Sequence, residues 1–244
     1  MKTSNKIILT AFIMLCIISF SMLLKMKSNI KDSKNNMHQK TIKTLDNLKG
    51  FHSINSNSAV DIYISKGIDN VEVNVDSAWL ANTKFEIIDS ILTINTIAEF
   101  DNHYGTINIK LNEIKSIQLK GSGDISMLDS LTTDQLSLKL SGSGSINSNC
   151  KAIRISAELL GSGDISNTGT SDEISIQLTG SGTADFKETI ANIATVQLIG
   201  SGDIICFAKN TLTGQLTGSG NIFYYGSPTI TINTVGSGEI LQRN

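Results

Sequence analysis

Seven Gly-Ser-Gly tripeptides recur along the second half of this chain, beginning at Gly121, Gly142, Gly161, Gly180, Gly200, Gly218 and Gly236. Successive copies lie 21, 19, 19, 20, 18 and 18 residues apart. A period of this length marks units that cannot bury a hydrophobic face alone and must stack to do so.

Aligning the copies on the first glycine shows what stacks. Two residues before it stand Leu119, Leu140, Leu159, Leu178, Leu198, Leu216 and Thr234. Four before it stand Ile117, Leu138, Ala157, Ile176, Val196, Gly214 and Ile232, with the polar column Gln118, Lys139, Glu158, Gln177, Gln197, Gln215 and Asn233 between the two. Four residues after the first glycine come Ile125, Ile146, Ile165, Ala184, Ile204, Ile222 and Ile240. Apolar and polar residues alternate, the period of strands with one buried face. The fold class predicted is all-β: a single-chain parallel β-helix with coils of 18–21 residues, each advancing by about one strand spacing, ~4.8 Å. The glycines Gly121, Gly123, Gly142, Gly144, Gly161, Gly163, Gly180, Gly182, Gly200, Gly202, Gly218, Gly220, Gly236 and Gly238 are expected to form one corner, repeated in every coil.

Residues 116–244 carry these marked repeats. Alternation also runs through Val60, Ile62 and Ile64, Val71, Val73 and Val75, and Ile107, Ile109 and Leu111, without the tripeptide. Residues 51–115 therefore read as irregular early coils of the same 51–244 solenoid, capped near Phe51. A separate small β domain is the alternative.

The N-terminus is of another kind. Residues 7–24 form an uncharged apolar run after Lys2 and Lys6, and as a helix would span about 27 Å, enough for a bilayer core. Residues 1–24 read as a retained anchor, with a cleaved signal peptide as the alternative. Residues 25–50 read as a polar, basic linker. The basic residues after the run would hold the body in the cytoplasm by the charge rule. The short basic start followed by an apolar run is instead an export address, and a body outside the membrane, in the cell envelope, is expected.

Charge is divided along the chain. Residues 1–50 hold nine Lys and two Asp, whereas residues 51–244 hold eleven basic and twenty acidic side chains. An acidic body without clustered cations argues against nucleic acid as a partner. Cys150 and Cys206 read as small buried residues rather than a disulfide framework.

Four segments carry a resemblance: LKGFHSI from Leu48, VDIYISKG from Val60, VEVNVD from Val71, and the repeated GSGDI. Over roughly residues 50–240 the chain resembles the "putative auto-transporter adhesin, head GIN domain" family. The resemblance implies an exported bacterial β-helix and transfers no catalytic residues; the apolar segment departs from a simple secreted form. With the crossover rule it also implies a right-handed coil.

No Ser-His-Asp, Cys-His or HExxH arrangement emerges, with His38 in the linker, His52 at the start of the body and His103 in the DNHYG loop. No catalytic residue, metal or cofactor is expected. The column after the tripeptide, Asp124, Ser145, Asp164, Thr183, Asp203, Asn221 and Glu239, alternates acidic with neutral residues over its first five members. Spacing like charges two coils apart lowers their repulsion. With Ser122, Ser162, Ser201 and the other tripeptide serines it forms a polar ridge for a cation or sugar hydroxyls, or corner chemistry that satisfies turn amides. The expected function is a non-catalytic, membrane-anchored binding and adhesion module with a glycan or protein ligand on the solenoid side. The alternatives are a scaffold that self-assembles through its C-terminal coil and a carbohydrate-active enzyme using Asp101 or the Asp124, Asp164 and Asp203 column.

Overall fold

The computed structural model describes residues 40–97 and 105–244. The apolar run 7–24, His38, and the Asp101–Tyr104 loop with His103 lie outside them. Among the described residues no helix is long and apolar enough to cross a membrane.

The chain opens with β1 (Lys40–Thr44), β2 (Ser53–Asn57), β3 (Asp61–Lys66) and β4 (Asn70–Asp76). A short helix α1 (Ser77–Ala81) follows, capped by Asp76, whose Oδ1 accepts from Ala78 N at 2.7 Å. Next come β5 (Thr83–Ile88), β6 (Ile91–Thr96), β7 (Gly105–Leu111), β8 (Ser116–Gly121) and β9 (Asp124–Met127). The strands then lengthen and run through their own bends: β10 (Leu131–Gly142), β11 (Ser145–Gly161), β12 (Asp164–Gly180), β13 (Thr183–Gly200) and β14 (Asp203–Gly218). The described chain closes with β15 (Asn221–Tyr225), β16 (Thr229–Gly236) and β17 (Ile240–Gln242). All belong to one 17-stranded sheet wound as a solenoid of about seven turns.

The aligned columns become stacked ladders. Leu140 pairs with Leu159, Leu159 with Leu178, Leu178 with Leu198, and Leu198 with Leu216, all in parallel register. Ile125, Ile146, Ile165, Ala184, Ile204 and Ile222 form the matching ladder after the corner, and each is fully buried. Each buried Leu or Ile contributes about 1.5–3 kcal/mol relative to exposure. The coil with three buried alanines (Ala184, Ala191 and Ala194) also carries Phe186, the largest of the fully buried side chains.

The corner explains the tripeptide. Gly161 has φ +131°, a conformation closed to most side chains, and a Cβ there would strike the Gly142 carbonyl of the coil before. Gly163 is buried, and a Cβ on it would strike the Gly144 carbonyl. The close approach is what the hydrogen bonds need: Ser162 N and Gly163 N both donate to Gly142 O, each at 3.1 Å. The same forked bond links Gly121 to the coil after it, as it does Gly180, Gly200 and Gly218.

Coil length is a parity problem. Inward residues alternate, so an even coil returns to register unaided and an odd one must slip once. The 18-residue coil keeps one parity through Ile204, Cys206, Ala208, Leu212 and Leu216, all buried. In the 19-residue coil before β12, Cys150 and Ile155 are both buried with Ile153 and Arg154 exposed between them, so the inward parity changes there. Coils of 21 and 19 residues slip at the matching point, at Asp134–Gln135 and Asp172–Glu173, and the 20-residue coil slips twice, at Lys187–Glu188 and at Asn192–Ile193.

Early coils depart from chain order. β2 lies between β6 and β8, and β3 between β7 and β9. The first turn of chain is thus inside the stack rather than at its end. Phe51 is buried, but the pole is closed by the antiparallel strands β1, β4 and β5 together with α1. Trp79 of α1 is buried there, edge-on to Phe85 at 6.3 Å. This reversal is invisible to period-two alternation, which is the same for parallel and antiparallel strands.

Gly161→Ala is expected to lower stability by about 3 kcal/mol or more, combining backbone strain with a backbone clash. Ser162→Ala, one residue away on the exposed face, should cost no more than about 0.5 kcal/mol. Urea unfolding followed by circular dichroism measures both.

Candidate functional site

Two surfaces could meet a ligand: the corner ridge anticipated above and a groove on the flank.

The ridge is exposed. Alternation continues through the corner, so all seven tripeptide serines, Ser122, Ser162 and Ser201 among them, face solvent while the second glycine of each points inward. Its acidic column is already engaged. Asp124 Oδ1 accepts from Ser145 N at 3.0 Å and Ser145 Oγ at 2.8 Å, one coil on. Asp164 Oδ1 accepts from Thr183 N, and Asp203 Oδ1 from Asn221 N, both at 3.0 Å. Asn221 Oδ1 in turn accepts from Glu239 N at 3.2 Å. Each of these carboxylates accepts the backbone amide one coil on, and Ser145 Oγ and Asn221 Nδ2 add a side-chain donor to it. Asp61 extends the ladder toward the capped pole, accepting from Asp124 N at 3.1 Å, so two acids are neighbours there. Among the described residues no group of three or more His, Cys, Asp or Glu side chains is placed to hold a metal.

Other expected positions are more ordinary. His52 is half-buried, its Nδ1 3.2 Å from Ser53 Oγ. Cys150 and Cys206 are buried and free, and burial pushes their thiols up to about 11 and about 12. Both stay protonated at neutral pH and are poor nucleophiles.

The groove arises where the coils slip. It is an open cleft of about 770 Å³ on the flank of β10 to β13. One row across it is Gln135, Arg154, Glu173 and Ile193; the next is Ser137, Ser156, Ser175 and Thr195, each in register with its neighbour on the adjacent coil. Glu113, Lys115 and Asp134 stand at one end, with Lys115 Nζ 3.7 Å from Glu113 Oε1. The guanidinium of Arg154 has no hydrogen-bond or ion-pair partner among the described residues. The lining ends at Thr195, before the 18-residue coil that has no slip. The hydroxyl row stands five residues before each tripeptide, outside the apolar columns, and its polarity by itself marks only an outward face.

Residues 50–228 match the family described as "Putative auto-transporter adhesin, head GIN domain". The chain belongs to that family. Among curated proteins none matches this sequence. The head GIN fold recurs in solved structures. A "putative adhesin" from Bacteroides fragilis superposes with TM-score 0.79 at 23% identity, over 84% of this chain and 97% of that one. A "putative adhesin" from Parabacteroides merdae has TM-score 0.70 at 16% identity, and a "putative lipid binding protein" from Parabacteroides distasonis 0.67 at 22%, both over 84% of this chain and 97% of theirs. At these identities the likeness is one of fold.

If the acidic column serves the corner, Asp164→Ala should cost about 1 kcal/mol through the lost amide acceptor. Asp164→Asn, which keeps an acceptor oxygen, should stay within about 0.5 kcal/mol. Paired urea titrations of the two variants decide this.

Proposed function

We propose that this head GIN protein is a non-catalytic binding module of the adhesin type, exported and held at the cell envelope by residues 7–24, with its flank groove as the ligand surface. The observation that carries the reading is the groove itself: a cleft along which one row, Ser137, Ser156, Ser175 and Thr195, repeats a hydroxyl coil after coil. A repeating wall suits a repeating ligand. The family description supports adhesion as the role.

Chemistry narrows the ligand. The lining holds three carboxylates and two cations, so a polyanion gains little there. Beneath the groove β11, β12 and β13 are paired on both sides, so an extended peptide has only the short Leu131–Gln135 edge of β10 to join. The floor mixes the hydroxyl row with Gln135, Arg154, Glu173 and the exposed Ile193, a surface for a ligand that has hydroxyls and apolar faces together rather than for a wholly apolar chain. An uncharged, hydroxyl-rich polymer, a neutral glycan, fits these limits.

The test has two arms. With an epitope tag after Asn244, protease added to intact cells is expected to remove the tag; protection until lysis would contradict envelope display. A panel of neutral and acidic soluble polysaccharides is expected to show binding of the full chain to a neutral member. Ser156→Trp, which fills the groove from an exposed position, should weaken it at least tenfold, and binding unchanged by that substitution would move the site elsewhere.

A further inference from the structure

The two poles of the solenoid are finished differently. At one, the edge strands carry charge: β1 reads KTIKT, and β5 reads TKFEII with Lys84 Nζ 2.6 Å from Glu86 Oε1. Lysines on an outer strand are a common defence against pairing with another chain. At the other pole, β16 reads TITINTVG and β17 reads ILQ, with no charged side chain in either. β16 pairs only with β14 and β17 only with β15, so among the described residues their outer edges carry no strand. The core is open there too. Ile230 is 39% exposed, whereas Leu212, Ile174, Ile155 and Leu136 in the same inward ladder are at most 2% exposed. Ile232 and Ile240 are likewise only partly buried.

We propose that this open pole is a docking surface for a second copy of this chain, with β16 of each copy pairing antiparallel about a two-fold axis. Antiparallel pairing of a strand with its own copy closes on itself, which limits assembly to a pair. The strand suits it. Inward Ile230, Ile232 and Thr234 alternate with outward Thr229, Thr231 and Asn233, so an axis near Ile232 lays inward side chains on inward side chains and makes the two cores continuous. The absence of charge removes the repulsion that a self-paired charged strand would suffer.

Placement gives the joint a consequence, which rests on the anchored reading proposed above. Residue 40 begins β1 at the capped pole, roughly 50 Å from the open one at one strand spacing per ladder step. A tether entering at the capped pole leaves the open pole outermost. Two copies joined there have their tethers at opposite ends of a double-length rod, so the joint links two facing membranes rather than neighbours in one.

The full chain, reconstituted into phosphatidylcholine vesicles, tests this by light scattering, with sedimentation equilibrium in density-matched detergent beside it. The wild type is expected to form dimers and to cluster vesicles. T231K/N233K and T231E/N233E, changed only at exposed outward positions, should each lose dimerisation at least tenfold and leave vesicles dispersed. Mixing the two variants should restore both. Wild type that remains monomeric, or variants that dimerise as well as wild type, would overturn the proposal. Dimers that obey the charge pattern but never cluster vesicles would uphold the docking surface and overturn anchoring at the capped pole.

Discussion

At five of the seven tripeptides the first carbonyl accepts from two amides of the coil that follows, and at Gly161 from one, and the rest of the molecule depends on that corner bond. It brings successive backbones so close at the corner that neither glycine has room for a Cβ. Once the corner is fixed, the residues two and four before it and four after it must superpose, and the Leu and Ile ladders follow. The ladders supply most of the burial, but the corner sets their register. A coil that bent one residue early would turn its apolar set outward.

The same register accounts for the surfaces. With the corner fixed, any coil longer than 18 residues must absorb its surplus elsewhere, and each does so at one recurring point (the 20-residue coil slips a second time at Lys187–Glu188). Ile153–Arg154, Asp172–Glu173 and their equivalents are pushed outward there, and the flank hollows beside them. The acidic column has the opposite character: its carboxylates are taken up by amides one coil step away. The carboxylates of the corner are engaged internally, whereas beside the slip Arg154 and the hydroxyls of Ser137, Ser156 and Ser175 have no partner among the described residues.

Much of this was legible in the residues. Leu119 through Leu216 announced the ladder by their spacing, and the tripeptide announced the corner, because both repeat. What does not repeat stayed hidden. Nothing in Val71, Val73 and Val75 says that β4 runs against its neighbour, nor in Ile54 that β2 slips between β6 and β8. Those placements are decided by long-range packing at the pole, where Trp79 and α1 close the core. The groove was hidden for a different reason: it comes from coil lengths, visible as 21, 19, 19 and 20 against 18, rather than from any residue type.

If the forked corner sets the register, one whole coil is dispensable. Deleting residues 162–180 joins Gly161 to Ser181 and sets the ladder of Leu159 directly beneath that of Leu198. Circular dichroism and small-angle X-ray scattering should then show a cooperative β fold shortened by about 4.8 Å. Deleting residues 162–171, half a coil, should abolish it. A 19-residue deletion that leaves the chain unfolded, or a half-coil deletion that folds as well, would contradict the account.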